Sequence, residues 1–247
     1  MKKNRSNSII FKAVSKNFWN ILRYYPKMIY MANHQKKYST DELYAYCLKL
    51  IKLLIDTCNI KIEVFGLENI PKKDGFFLCS NHQEKFDPLA IWYTFPRKIG
   101  VILNDKACHR PFIREVTFLI KSRRLIHNDL KSILVHFKEI TEDLGDGINY
   151  MIFPEGDYEK ETNVLGEFHS GSFKSPKKAK SPILPVVLVD SYRIFDKGYK
   201  TTKPIQVHYL KPIMPEEFKG LSTSEISDLV KSRIQEKINE EANKITN

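Results

Sequence analysis

The sequence predicts an α/β fold: a mostly parallel central sheet flanked by helices, with an amphipathic two-helix segment at the N-terminus. Three observations carry this. From residue 60 onward, short apolar runs alternate with stretches of helical period, the pattern of strand–helix–strand units. The runs at residues 76–80, 148–152 and 182–189 are apolar enough to be buried strands. Before residue 60 the chain shows helical periods only. At 247 residues it is long enough to bury a full core. The expected division is a basic helical membrane-contact segment, 1–58, and an α/β domain, 59–247.

In chain order, Ile10, Val14, Phe18, Ile21, Leu22 and Tyr25 recur at helical spacing over residues 8–30. Trp19 lies beside them, and Lys12, Lys16 and Arg23 fall between. Ser39 and Glu42 form a capping box for a helix over 41–57, with Leu43, Tyr46, Cys47, Leu50, Leu53 and Leu54 on one face. Residues 62–65 alternate as a strand, punctuated by Gly66 and Pro71. The run up to Ser80 is the next strand, and Asp87-Pro88 opens a helix, with Asp as cap and Pro at the first position. A strand over 99–103 is followed by Lys106, a helix from Pro111 to Leu119, and a brief strand at Leu125-Ile126. Asp129 caps a helix that shares Leu130, Ile133, Leu134, Phe137, Ile140 and Leu144 on one face and closes at Gly145. Strands follow at 148–152, 182–189 and 205–210. The last helix starts from the capping box Ser222/Glu225 and carries Ile226, Val230, Ile234 and Ile238.

Charge is unevenly distributed. The net charge is +11, yet nine Lys or Arg and no acid lie in the first forty residues, which leaves 31 basic against 29 acidic groups in the rest. A basic block on an amphipathic, aromatic helix suits an anionic membrane interface. It does not suggest nucleic acid, because no RNP, zinc or helix-turn-helix pattern accompanies it. No run reaches the ~18–20 apolar residues of a membrane span, and no secretory signal is visible. Attachment is therefore expected to be peripheral, on the cytoplasmic face of the cell membrane, and removal of residues 1–38 is expected to leave a folded domain. The four cysteines (Cys47, Cys58, Cys79 and Cys108) form no CxxC pair and read as reduced thiols. No metal-ligand spacing is present, and no cofactor is expected.

The chemistry is expected at Asn81-His82-Gln-Glu-Lys-Phe-Asp87. His82 falls on a strand-to-helix connection at the carboxyl end of a strand, where open α/β sheets bind ligands. Asp87 is near enough along the chain to fold back onto the imidazole. A carboxylate on one ring nitrogen fixes the tautomer and lets the other accept a proton from a hydroxyl. A second stretch, Phe153-Pro154-Glu155-Gly156, ends another apolar strand.

Together with Phe168-x-x-Gly171 and Pro182-x-x-Pro185, these two stretches resemble, in order and spacing over roughly residues 60–215, the glycerolipid acyltransferases of the lysophosphatidic acid acyltransferase type. The resemblance implies transfer of a fatty acyl group from an acyl thioester, acyl-ACP or acyl-CoA, to the hydroxyl of a lysophospholipid acceptor, 1-acyl-glycerol-3-phosphate, making phosphatidic acid. It assigns His82 as general base and Asp87 as its orienting partner. Asn81, Phe153, Pro154, Glu155, Gly156 and Gly171 are expected to line the substrate site, with Glu155 holding a substrate hydroxyl or a neighbouring base. No Gly-x-Ser-x-Gly elbow is present, so transfer is expected to be direct. Two positions depart from the family pattern. Asn128 stands where the family's phosphate-binding arginine is usual, and Asp157-Tyr158 follow Phe-Pro-Glu-Gly in place of Thr-Arg. Lys106, Arg123, Arg124 or Lys160 is then expected to supply the charge, or the acceptor differs. A lipid-surface binding module without turnover is the competing class.

Overall fold

In the computed structural model, residues 13–109, 111–125, 130–157, 162–196 and 203–246 are described. Helix α1 spans Phe18–Asn33 and α2 Thr40–Thr57. The sheet is built from β1 (Ile62–Phe65), β2 (Phe77–Ser80), β3 (Gly100–Asn104), β4 (Arg123–Leu125), β5 (Tyr150–Ile152), β6 (Ile183–Val189) and β7 (Ile205–Tyr209). Between them lie α3 (Asp87–Thr94), α4 (Asp105–Cys108), α5 (Ile113–Leu119), α6 (Leu130–Gly145) and α7 (Lys174–Ala179), and α8 (Thr223–Thr246) follows β7. The seven strands run in the order β1-β7-β6-β2-β5-β3-β4. All neighbours are parallel except β6 and β7. The mostly parallel sheet is thus observed, and strands β2 and β6 are buried along their whole length.

Side chains alternate across the sheet into two cores. Phe76, Leu78, Val101, Met151, Phe153, Val186 and Leu188 pack on one face with α1, α2, α3 and α5. Phe77, Cys79, Ile102, Tyr150, Ile152, Val187 and Val189 pack on the other with α6 and α8. The four cysteines are buried and none is in a disulfide, and burial pushes the Cys47 thiol up to about 12 and raises that of Cys79 as well. Cys47 and Cys79 are packing groups here, with little thiolate character.

Both capping boxes form as the sequence predicts. Ser39 Oγ accepts from Glu42 N while Ser39 N donates to Glu42 Oε2, and Ser222 and Glu225 do the same. Residues 170–179, to which the sequence assigns no element, form a 3₁₀ turn (Ser170–Phe173) and α7.

The N-terminal segment needs a correction. Met28, Met31 and Ala32 of α1 and Leu43, Tyr44, Cys47, Leu50 and Ile51 of α2 belong to the same core as the sheet. Tyr25 Oη donates to Glu115 Oε2 at the start of α5 and accepts from Phe112 N. Tyr46 Oη on α2 donates to the Tyr24 carbonyl. Residue 58 therefore does not mark a break between separately packed units, and cutting at residue 38 would open the core. The residues of α1 read above as one apolar side divide in two. Tyr25 and Met28 face inward, whereas Phe18, Trp19 and Leu22 remain 50%, 79% and 53% exposed. Residues 1–12 lie outside the described residues.

Candidate active site

Strands β5, β2 and β6 are parallel neighbours at the centre of the sheet, so their carboxyl ends open to one place. Each delivers part of the site. The chain leaving β2 carries His82 and turns into α3 at Asp87, the chain leaving β5 carries Phe153 and Glu155, and the chain leaving β6 carries Ser191.

His82 Nδ1 lies 2.7 Å from Asp87 Oδ2, and Asp87 is fully buried. A carboxylate only accepts, so Nδ1 carries the proton and Nε2 is the basic nitrogen of the neutral ring. The imidazole stacks on Phe153 with centroids 4.3 Å apart. Asp87 Oδ2 also accepts from the backbone N–H groups of Gln83, at 2.6 Å, and Glu84, at 2.8 Å, and Oδ1 accepts from Ser191 Oγ at 2.6 Å. These donors compensate a charge that burial alone would make costly. The role of Asp87 as helix cap is corrected: it is the first residue of α3, Phe86 is the cap, and the carboxylate turns back onto the loop before it.

Glu155 braces the two motifs. Its Oε1 accepts from the His82 backbone N–H at 2.8 Å, and its Oε2 from the Gly166 N–H at 2.6 Å. Burial pushes its carboxyl above the usual glutamate range, and the two N–H donors pull it partly back. As pH falls, Glu155 therefore takes a proton sooner than an ordinary glutamate. The new O–H then faces one of two N–H donors, and the brace weakens. Its oxygens hold the His82 backbone and the loop at Gly166 together. Gly166 was not singled out from the sequence. A Cβ there would lie 2.5 Å from Glu155 Oε2, so the brace requires glycine.

Asn81 plays a similar part. Its Nδ2 donates to the Leu188 carbonyl at 2.9 Å, and its Oδ1 accepts from Leu188 N at 2.8 Å. The amide extends the β2–β6 pairing by one rung, so it places the loop that carries His82. Gln83 and Ser191 were missed altogether. Gln83 Oε1 accepts from Ser191 N, and its Nε2 donates to Asn163 Oδ1. Gly156 adopts φ +74, and the group nearest a Cβ there is the His169 ring, so its lack of a side chain serves a turn and that contact. The Pro154 carbonyl accepts from His169 N. Gly171, in the 3₁₀ turn, faces open space.

The expected cationic residues separate. Arg123 bonds Glu139, Asp143 and the Tyr150 hydroxyl, on the α6 face of the sheet, opposite the Phe153 face. It is the solvated charge cluster beside a strand, already occupied. Arg124 follows it in β4, in register with Leu103, and Lys106 lies in α4. The side chains of both, and Asn128, Tyr158 and Lys160 entirely, lie outside the described residues. Among the described residues, no group of three or more His, Cys, Asp or Glu could hold a metal ion.

The fold and this geometry define a class: an α/β enzyme with a histidine held by a buried aspartate at the carboxyl ends of the central strands. The chain belongs to the acyltransferase family, whose model, described as Acyltransferase, matches residues 61–189. It is similar to the 1-acyl-sn-glycerol-3-phosphate acyltransferase of Borreliella burgdorferi, 26% identical over 192 residues, 76% of each chain. It is also similar to the probable 1-acyl-sn-glycerol-3-phosphate acyltransferase of Mycoplasma pneumoniae, 27% identical over 209 residues, 74% of this chain and 73% of that one. Its fold matches the crystal structure of the 1-acyl-sn-glycerophosphate (LPA) acyltransferase PlsC from Thermotoga maritima. That match has a TM-score of 0.69 and 20% identity, covering 94% of this chain and 95% of the other.

Proposed function

We propose that this acyltransferase moves a fatty acyl group from acyl-ACP or acyl-CoA to the free hydroxyl of 1-acyl-glycerol-3-phosphate, making phosphatidic acid for phospholipid synthesis. The observation that carries the reading is the 2.7 Å bond from His82 Nδ1 to the buried Asp87. His82 Nε2 takes the proton of the acceptor hydroxyl as that oxygen attacks the thioester carbonyl. Collapse of the tetrahedral adduct breaks the C–S bond, and the thiolate takes the proton back from the imidazolium and leaves as thiol. Asp87 stabilises the imidazolium in between. The acceptor is that of the similar 1-acyl-sn-glycerol-3-phosphate acyltransferases. With Arg123 committed to Glu139 and Asp143, the charge for the acceptor phosphate falls to Arg124, Lys106 or Lys160.

The reading also places the reaction at a membrane. No described helix is long and apolar enough to cross one. Instead, α1 exposes Phe18, Trp19 and Leu22, and Lys16 and Arg23 lie beside them along the chain. Cations near an anionic surface add ~1 kcal/mol each and are screened by salt, whereas the apolar contact is not. The test pairs the parent chain with a Trp19→Ser, Leu22→Ser variant, since these side chains lie outside the core. The variant should keep its thermal midpoint and its transfer to a short-chain soluble acceptor, and should lose transfer to 1-acyl-glycerol-3-phosphate in anionic vesicles. Equal loss on both acceptors, or on neither, would place the membrane surface elsewhere.

A further inference from the structure

We propose that Ser191, in the turn after β6, is a positioning residue for acyl transfer, holding Asp87 Oδ1 so that Oδ2 stays on His82 Nδ1. The proposal rests on the reading of His82 as the base. Ser191 is fully buried and 104 residues beyond Asp87 in sequence, and its Oγ lies 2.6 Å from Oδ1. The opposite oxygen, Oδ2, accepts from His82 Nδ1, Gln83 N and Glu84 N. The carboxylate is thus pinned from two sides, with Ser191 on the side away from the imidazole.

Ser191 Oγ also lies 2.8 Å from Gln83 Oε1, but a hydroxyl has one proton to give. The buried carboxylate, shorter and charged, has first claim, and Gln83 Oε1 already accepts from Ser191 N. The position of Ser191 is itself fixed. Asn163 accepts from Asp190 N and donates to Asp190 Oδ1, and Asp190 in turn pairs with Arg193. The turn after β6 is therefore a rigid mount for one hydroxyl.

Without that donor, a fully buried carboxylate oxygen loses its hydrogen bond. The carboxylate then rotates more readily away from His82. Removing only the hydroxyl leaves the His82, Gln83 and Glu84 bonds to Oδ2 in place.

The experiment compares the parent, Ser191→Cys and Ser191→Ala, with His82→Ala in the same assay. Cysteine keeps nearly the shape of serine with a much weaker donor, so it reads the hydrogen bond even where alanine disturbs folding. Both variants should lower kcat by roughly ten- to a hundredfold. KM should stay within about twofold, a split from kcat that a merely loosened fold would not give. The thermal midpoint of the cysteine variant should stay near that of the parent. A folded Ser191→Cys protein with parental kcat would overturn the positioning role. Parental activity in His82→Ala would instead overturn the base on which it rests, and the two failures are read separately.

Discussion

Replacing His82 by alanine should lower kcat/KM by roughly 10²–10⁴-fold, the usual contribution of a positioned general base. The protein should remain folded. The ring stacks on Phe153 and bonds Asp87, but the bond to Glu155 is made by the His82 backbone and survives the change. Asp87 keeps the Gln83, Glu84 and Ser191 donors, so no buried charge is left bare. Circular dichroism and thermal unfolding should therefore show a modest loss of stability, while acyl transfer nearly vanishes. Near-parental turnover in purified His82→Ala protein would mean that another group accepts the proton.

Asp87→Asn should be milder, and the structure gives the reason. Asparagine can aim its carbonyl oxygen at His82 Nδ1–H and the two backbone N–H groups. Its amide then donates to Ser191 Oγ, which turns its own proton to Gln83 Oε1, 2.8 Å away. The tautomer and the fold persist. What is lost is the negative charge that steadies the imidazolium as it forms. We expect kcat to fall by more than about tenfold, yet less than in His82→Ala. Unchanged kcat would show that the charge of Asp87 is not used in the reaction.

Much of this was legible from the chain. Buried parallel strands show as short apolar runs, so the sheet could be read, and a capping box is a local pattern that tertiary packing left intact. His82 and Asp87 could be paired because only a short loop separates them. The rest of the site was hidden because its partners are distant and ordinary. Ser191, Gln83 and Asn163 are single polar residues in loops, and nothing nearby in sequence marks them as buried. Gly166 is required by contact with Glu155 and not by its own backbone. Asn81 sits inside a motif, which suggested chemistry, but its amide completes a strand pairing. Helix α1 misled for a different reason: a helix with apolar residues on two sides gives one broad hydrophobic pattern. That pattern does not tell the side facing the core, Tyr25 and Met28, from the side facing outward, Phe18, Trp19 and Leu22.

The central claim is that His82 drives direct acyl transfer to the hydroxyl of 1-acyl-glycerol-3-phosphate. The most direct test incubates the purified full chain with radiolabelled acyl-ACP or acyl-CoA and a panel of lysophospholipids in anionic vesicles. The lipid products are then separated, and the released thiol is counted. The account predicts labelled phosphatidic acid as the dominant product and one thiol released per acyl group transferred. It also predicts no thiol released before acceptor is added, and only a residual trace of product with His82→Ala. Transfer to other lysophospholipids but not to 1-acyl-glycerol-3-phosphate, or a burst of thiol without acceptor, would contradict it.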